Sequence, residues 1–290
     1  MNQNEQSDAN SEREIRASSD TFSVLISVYK NDDPKHFQIA LESIFGQTLV
    51  PTEVVIVADG PLTSELDEVI EEFVFRHLET IQVVRLETNQ GLGAALRTGL
   101  EACSYDRVAR MDADDVAVSE RFEEQVAYLK SNPDVDVVGS HVGEFRTDPE
   151  NVDTVRSVPS SASAVESMAR FRCPTNHPSV MYRRQAVLEA GNYRPLRSMQ
   201  DYELWMRMLS QGYTIENLPQ VLVKCRAGED LYRRRGGLSY ARLEFSLQRE
   251  FHRSGMISGV EFIRNIVYRV PIRLIPSRLR GAIYKVALRD

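Results

Sequence analysis

The chain has 290 residues, a formal net charge of −7 and the hydrophobic and charged fractions of an ordinary globular protein. No apolar run approaches the roughly 18 residues that a membrane-spanning helix needs, and the N-terminus lacks the basic-then-apolar order of a signal peptide. We therefore expect a cytoplasmic protein. Its cysteines, Cys103, Cys173 and Cys225, are odd in number and far apart, as expected of reduced thiols rather than of a disulfide framework.

Charge is distributed unevenly along the chain. Residues 1–20 carry five acids and two arginines, and residues 256–290 carry seven basic and two acidic residues. The acidic excess of the middle argues against nucleic-acid binding, so an anionic partner such as a membrane surface would meet the C-terminal end. Residues 1–20 are polar and have no apolar periodicity, which predicts a disordered tail.

Strand and helix patterns alternate from residue 22 onward. Near-continuous apolar runs predict buried strands at 22–29, 53–58, 81–86 and 107–111, and helical spacing predicts a helix after each of the first three. Four such alternations predict right-handed βαβ units, and hence an α/β fold with a mostly parallel sheet flanked by helices.

The rest of the chain has weaker patterns. Residue Ser119 is predicted to cap a helix that runs to Lys130, and the pattern from 141 to 175 is interpreted as a variable insertion rather than a new domain. The other predicted elements are strands at 135–139 and 176–182, helices at 163–172, 184–190 and 201–211, and a helical extension that begins near residue 238.

Three carboxylates, Asp112, Asp114 and Asp115, lie directly behind the short apolar segment Val108-Ala109. Carboxylates this close repel one another, so the cluster is interpreted as half of a site whose other half is a divalent cation. Hard oxygen ligands favour Mg²⁺ or Mn²⁺. A helix-capping loop with solvated acids is the alternative, and only the surrounding features favour the metal.

Ligands of parallel sheets gather beyond the carboxyl ends of the strands. Residues 27–29 end the first predicted strand, Asp59 follows the second, and the acidic cluster follows the fourth. Each has a plain alternative, as a packed aromatic, a turn residue or a cap. Their convergence predicts a pocket with a stacking ring, an acceptor for a base or ribose, and a metal.

Five motifs in order, SVLISVYKN, VIVADGP, NQGLGAAL, VARMDADD and QDYELWMRM, resemble the inverting glycosyltransferases of family 2, which have the GT-A fold. The DGP turn and the stretches NHPSVMYRR and LYRRRGG narrow the resemblance to the subgroup typified by the amylovoran biosynthesis glycosyltransferases, which build bacterial exopolysaccharides. It covers about residues 22–235. It implies a GT-A domain with a Rossmann-like nucleotide-binding sheet at 21–235 and a helical extension at 236–290.

The resemblance also implies the reaction. One sugar would pass from a nucleotide sugar, a UDP-sugar, to a hydroxyl of a saccharide acceptor linked to polyprenyl diphosphate. Ser27 and Tyr29 would line the nucleotide base, Asp59 would accept a hydrogen bond from a ring N–H of the base, and Gly91 would lie in the same nucleotide-sugar site.

The metal ligands implied by the resemblance lie in the acidic cluster. Asp112 would approach the ribose and the metal, and Asp114 would bind the metal that bridges the diphosphate. Mn²⁺ or Mg²⁺ there would stabilise the charge of the leaving nucleoside diphosphate. His177 is a further candidate for a metal or diphosphate contact, with a hydrogen-bonded structural histidine as the alternative.

Asp201 would be the general base that deprotonates the acceptor hydroxyl, although an acid in the first turn of a helix also serves as a cap. Trp205, one turn later, would form an acceptor wall or belong to the core. The arginines that precede a Gly-Gly pair are interpreted either as a lid on the diphosphate or as a solvated loop; they are Arg233, Arg234 and Arg235.

Rival functions have specific weaknesses. A dinucleotide-dependent oxidoreductase would need a third glycine where Leu96 stands, and its turn would follow the first strand. A metal-dependent nucleotidyltransferase that makes the sugar nucleotide would carry a glycine-rich loop after the first strand, and residues 27–33 contain no glycine. A non-catalytic sugar-nucleotide-binding protein stays open.

Residues 256–290 mix apolar and basic side chains at helical spacing, which is typical of an interfacial helix on an anionic bilayer. The alternative is a helix packed on the core with its arginines in water. The first interpretation places the protein on the inner face of the cell membrane. The glutamine-arginine-tryptophan signature of processive synthases is absent after Asp201, so we expect transfer of one sugar per encounter.

Overall fold

The computed structural model describes residues 20–227 and 236–275. The predicted N-terminal tail up to residue 19, the three arginines of the predicted lid and residues 276–290 lie outside the described residues. The described residues form one mixed sheet of nine strands. These are β1 (Ser23–Val28), β2 (Glu53–Ala58), β3 (Ile81–Arg85), β4 (Arg107–Asp112), β5 (Val116–Ala117), β6 (Val137–Phe145), β7 (Thr154–Arg156), β8 (Met181–Arg183) and β9 (Ile215–Arg226).

The strand order across the sheet is β3-β2-β1-β4-β8-β6-β9-β5, with β7 paired to β6. Strands β1 to β4 pair in parallel, whereas β8 runs antiparallel to both β4 and β6. Helices cover the sheet. They are α1 (Pro34–Phe45), α2 (Ser64–Arg76), α3 (Leu92–Ala102), α4 (Arg121–Ser131), α5 (Ala162–Ala169), α6 (Arg184–Glu189), α7 (Gln200–Ser210), α8 (Leu238–Arg253) and α9 (Gly259–Leu274).

Strand β1 shows why the first apolar runs are continuous. Val24 and Ile26 pack into the core that contains α1 and α2, whereas Leu25 points to the opposite core with α3. Both faces of the strand are therefore dry, as the sequence predicts. Helix α1 begins where Pro34 supplies the first helical turn and the Asp33 carboxylate accepts from two backbone N–H groups.

Some predicted elements are wrong in detail. Ser119 does not cap α4, because the helix begins at Arg121 after Glu120 and has no side-chain cap. The predicted strand at 176–182 is a 3₁₀ turn, His177–Ser179, followed by β8. Pro178 lacks the N–H that a strand ladder needs, so it favours the turn. Residues 141–145 continue β6 inside the sheet instead of opening an insertion.

Helices α8 and α9 form a hairpin, and two arginines of α9 point inward. Arg269 and Arg273 both pair with the fully buried carboxylate of Glu244 in α8. Burial alone would raise the pKa of Glu244, but the two guanidinium groups hold it below its ordinary value. The arginines of the described extension that we expected to face a bilayer or water therefore bind within the protein.

Glu244→Gln is expected to lower the free energy of unfolding by about 3 kcal/mol or more, because two guanidinium groups would stay buried without a counter-charge. Since the pKa of Glu244 is lowered from 4.5, its contribution is present above that value and is lost as pH falls through the folded-state pKa. Urea unfolding at neutral pH measures the change. Glu250→Gln, at a half-exposed partner of Arg194, is the control and should cost under about 1 kcal/mol. Equal losses in both variants would contradict the prediction.

Among residues 20–227 and 236–275, no helix combines the length and the apolar character needed to cross a bilayer.

Candidate functional site

Three neighbouring strands end at the same edge of the sheet and carry the predicted binding residues. Ser27 of β1 lies directly beside Asp112 of β4 in the parallel register. On the other side of β1, the N–H of Asp59 donates to the carbonyl of Val28 at 2.8 Å. Adjacent strands lie about 4.8 Å apart, so the backbones of Asp59 and Asp112 are roughly 10 Å apart across β1. Tyr29 follows β1 directly and is half-buried, its N–H donating to Asp32.

Asp59 fixes the turn that opens α3. Its carboxylate accepts from the N–H of Gln90 at 2.7 Å, the N–H of Gly91 at 2.9 Å and the side-chain amide of Asn89 at 3.0 Å. Gly91 has a φ of 88°, which favours glycine. Two of these bonds reach Oδ2 and one reaches Oδ1, so Oδ1 keeps acceptor capacity for a ligand N–H.

The acidic cluster combines three carboxylates in different surroundings. Asp112 pairs with Arg110, whereas the buried Asp115 accepts from the N–H of Arg226 at 2.9 Å. Burial, together with the charges of Asp112 and Asp114, raises the pKa of Asp115 to about 8. Ligand atoms of Asp112, Asp114 and Asp115 all lie within 4.8 Å of one another.

This donor set fits a hard divalent cation, since it consists only of carboxylate oxygens and concentrates negative charge that a cation would neutralise. Asp112 and Asp114 would hold the ion, with Asp115 beside them. Asp115 belongs to the cluster although the predicted ligand set omits it. The group of mutually close ligand atoms does not include His177 in the described residues.

Two buried arginines lie behind the acidic cluster. Arg110 is about 1% exposed, and its Nε and Nη1 have no hydrogen-bond partner among the described residues. Arg121 donates to the carbonyl of Arg110 at 2.7 Å, and burial and the charge of Arg110 lower its pKa to about 9. The ion pair of Arg110 with Asp112 therefore orients the Asp112 carboxylate. Arg110 is absent from the predicted site, although its place two residues before Asp112 in a buried strand can be read from the sequence.

Asp201 lies in the first turn of α7 and is half-buried. The Sγ of Cys173 donates to its Oδ2 at 3.6 Å, and burial and the charge of Asp201 raise the pKa of that thiol. Met199, two residues earlier, has a φ of 62°, a conformation that costs a non-glycine residue of order 1 kcal/mol or more. Such strain concentrates where a structure fixes a functional side chain, and here it precedes the predicted base.

Tyr193 is fully buried next to His177. Burial raises the pKa of its hydroxyl, although the charge of Arg110 acts in the opposite direction. The loop that carries Tyr193 contacts α3 closely, because a Cβ on Gly93 would overlap the carbonyl of Arg194.

His177 and Trp205 belong to a buried network next to this site. His177 Nε2 lies 3.0 Å from the Tyr193 hydroxyl, and burial and the charge of Arg110 lower the pKa of His177 well below its ordinary value. The imidazole is therefore neutral at pH 7. Trp205 is fully buried, with its ring edge toward His177 at a centroid distance of 6.1 Å. Its packing is that of the core alternative, not that of an exposed acceptor wall.

Sequence comparison identifies relatives of this chain. The family model of glycosyl transferase family 2 matches residues 23–191. The UDP-Gal:alpha-D-GlcNAc-diphosphoundecaprenol beta-1,3-galactosyltransferase of Escherichia coli is 39% identical over 268 residues, which cover 92% of this chain and 96% of that protein. The amylovoran biosynthesis glycosyltransferase AmsE of Erwinia amylovora is 38% identical over 91% of this chain and 98% of its own length.

Solved structures agree on the fold. TarS 1-349 of S. aureus in complex with UDP-GlcNAc superposes with a TM-score of 0.66 at 19% identity, covering 92% of this chain and 76% of that chain. A mannosyltransferase of Pyrobaculum calidifontis in complex with GDP-Man and Mn²⁺ gives 0.61 at 16% identity, with 92% and 75% covered. The GT-A fold predicted from the sequence is confirmed, including the C-terminal helices.

Proposed function

This chain belongs to glycosyltransferase family 2, and from that premise we propose that it transfers one sugar from a UDP-sugar to a hydroxyl of a saccharide linked to polyprenyl diphosphate. The product would belong to a bacterial exopolysaccharide or other surface polysaccharide. The observation that carries the proposal is that Asp112, Asp114 and Asp115 bring their ligand atoms within 4.8 Å of one another at the edge of the sheet where Ser27 and Asp59 also lie. The names of the two relatives support the choice of donor and acceptor.

The donor half of the site uses the strand ends of β1, β2 and β4. Tyr29 supplies a ring for the base, and the Oδ1 of Asp59 accepts from a ring N–H. Asp112 and Asp114 would hold Mn²⁺ or Mg²⁺, and the bound cation would neutralise charge on the diphosphate as it leaves. Arg110 keeps the carboxylate of Asp112 in place for this task.

The acceptor half depends on Asp201. Its carboxylate takes the proton of the acceptor hydroxyl while that oxygen attacks the anomeric carbon, and the bond from this carbon to the diphosphate oxygen breaks. The electron pair of the broken bond leaves with the nucleoside diphosphate. A single displacement inverts the anomeric configuration and needs one base. The half-buried position of Asp201 in the first turn of α7 suits that role.

The enzyme is non-processive and works at the inner face of the cell membrane in this proposal. The absence of the processive-synthase signature after Asp201 supports the first statement. The diphosphoundecaprenol in the name of the Escherichia coli relative supports the second, because such a lipid is anchored in a membrane.

A thermal-shift screen tests donor binding. With Mn²⁺ present, the cognate UDP-sugar at about a hundred times its Kd should stabilise the fold by roughly 2.7 kcal/mol and raise Tm by several degrees. Chelation of the ion should remove most of the shift. GDP-sugars are the comparison. The absence of a shift with every nucleotide sugar would overturn the proposed donor class.

Acceptor-dependent transfer separates an enzyme from a binding protein. We expect release of UDP only when the donor is combined with a polyprenyl-diphosphate-linked saccharide. Donor-dependent stabilisation without transfer to any such acceptor would favour the non-catalytic alternative.

A further inference from the structure

The packed side of the α8–α9 hairpin contains several polar side chains. Its interior holds Glu244, Arg273 and Asn265, all buried, and Asn265 donates to the side chain of Gln248 at 2.8 Å. Arg264 folds back to donate to the carbonyl of Arg170 at 3.0 Å. Polar side chains of α9 that would face water on a typical surface helix therefore bind within the protein.

The outer face of α9 is an apolar stripe. We define the stripe as Val260, Ile263, Val267 and Leu274, which recur at intervals of three, four and seven residues and thus share one face of the helix. They are 79%, 63%, 61% and 55% exposed, and Tyr268 beside them is 61% exposed. Such a continuous apolar stripe marks an interaction surface.

Basic side chains accompany the stripe. Arg242, Arg249 and Arg253 are exposed and share one face of α8 at intervals of seven and four residues. The two helices pack side by side, since the ring of Phe245 in α8 contacts that of Phe262 in α9 at a centroid distance of 6.2 Å, and each turns an exposed face to the outside. Directly after α9, the sequence from 276 to 290 contains four basic residues and one acid. Positive charge therefore lies next to exposed apolar surface and continues along the chain.

The hairpin also contacts the catalytic half of the site. The guanidinium of Arg269 stacks over the ring of Tyr202 at 5.1 Å, and Phe251 of α8 packs edge-on against the same ring at 5.3 Å. Tyr202 is the neighbour of Asp201 in the first turn of α7. A surface that met the outer face of the hairpin would lie about one helix diameter, or 10 Å, from that turn.

We propose that the stripe docks on an anionic lipid bilayer, with α9 lying in the interface plane and Arg242, Arg249 and Arg253 at the headgroups. Apolar side chains enter the acyl boundary while arginines pair with lipid phosphates, which is the combination that such helices use. The inference deepens the proposed function and rests on it for the acceptor, because docking would hold Asp201 close to the membrane that anchors a polyprenyl diphosphate.

The exposed arginines Arg242, Arg249 and Arg253 favour an anionic bilayer over a second copy of the chain as the partner of the stripe. A symmetric pairing of two stripes would bring the arginines of both copies together, and like charges in contact are unfavourable. An anionic surface is complementary to both parts of the face.

Vesicle flotation tests the proposal with the full chain and no substrate. We expect the wild type to float with vesicles of phosphatidylcholine and phosphatidylglycerol. The double variant I263Q/V267Q should bind about tenfold more weakly or worse, because two exposed apolar side chains are lost. F75Q/L78Q is the matched control, since it removes two exposed apolar side chains on and after α2, and it should bind as the wild type does.

R242Q/R249Q should weaken binding to the anionic vesicles and leave binding to pure phosphatidylcholine vesicles unchanged. Several outcomes would overturn the proposal: no flotation of the wild type, equal flotation of I263Q/V267Q, or a wild-type dimer that I263Q/V267Q converts to a monomer. Stronger vesicle binding by a variant that ends at Ile275 would also overturn it, because residues 276–290 would then be the occupant of the stripe in the full chain.

Failure of docking can be told apart from failure of the proposed function. I263Q/V267Q should retain wild-type transfer to a water-soluble acceptor with a shortened lipid, and lose transfer only to an acceptor embedded in vesicles. A wild type that floats but transfers no sugar would leave the docking surface standing and remove the proposed reaction.

Discussion

Asp201→Asn is expected to lower the rate of acceptor-dependent transfer by about 10²–10⁴-fold, the range that a positioned general base contributes. The amide has nearly the same shape as the carboxylate but cannot take the proton of the acceptor hydroxyl. Because Asp201 is not among the residues that we propose to hold the donor, the thermal shift produced by UDP-sugar and Mn²⁺ should be unchanged. Steady-state transfer rates measure the effect.

A helix-capping role for Asp201 predicts a different result. An acid in the first turn stabilises a helix by about 0.3–1 kcal/mol, so its loss would lower Tm slightly and leave the rate unchanged. Glu65→Gln is the matched control, since Glu65 is an exposed acid in the first turn of α2. If both variants transfer sugar at the wild-type rate, Asp201 is a cap and another group is the base.

Asp114→Asn is expected to weaken Mn²⁺-dependent donor binding by about a hundredfold or more. Changes to residues that merely orient a metal ligand cost about 10–100-fold, and loss of a ligand should cost at least as much. Asp114 suits this test because it is half-exposed, whereas Asp115 is buried and holds the N–H of Arg226. Titration of Mn²⁺ at fixed UDP-sugar, followed by thermal shift, measures the change.

Asp134→Asn provides the control for Asp114→Asn. Asp134 is exposed and precedes β6, which runs parallel to β4, so it lies at the opposite edge of the sheet from the acidic cluster. Its substitution should leave the Mn²⁺ titration unchanged. Wild-type ion dependence in Asp114→Asn would exclude this carboxylate as a ligand and leave Asp112 and Asp115 as the candidates.

Much of the nucleotide-binding half could be predicted because its strands are buried on both faces. The apolar run at 53–58 gives β2 its observed bounds, and parallel pairing then requires Ser27 and Asp112 to end at one edge. The carboxylate cluster was visible for the same reason, since charge directly behind a buried strand is unusual. Local sequence pattern and tertiary structure agree there.

The helical extension could not be predicted in this way. In α9 both the apolar and the basic residues recur at helical spacing, so periodicity identifies two faces without saying which is buried. Hydrophobicity alone predicts that the apolar face of α9 is buried. Glu244 of α8 supplies a buried counter-charge, so the basic face is buried instead. The two alternatives for Trp205 could not be separated for a related reason: its spacing from Asp201 fixes its position along α7 but not the depth of its ring, which the packing of Tyr182 and His177 determines.

The close approach of Gly93 to Arg194 joins the first turn of α3 to the loop that carries Tyr193. Asp59 grips the turn at the start of α3, Gly93 lies in the first turn of that helix, and Arg194 adjoins Tyr193. A Cβ at position 93 would overlap the backbone of Arg194, so any side chain there would force the turn held by Asp59 and the loop of Tyr193 apart.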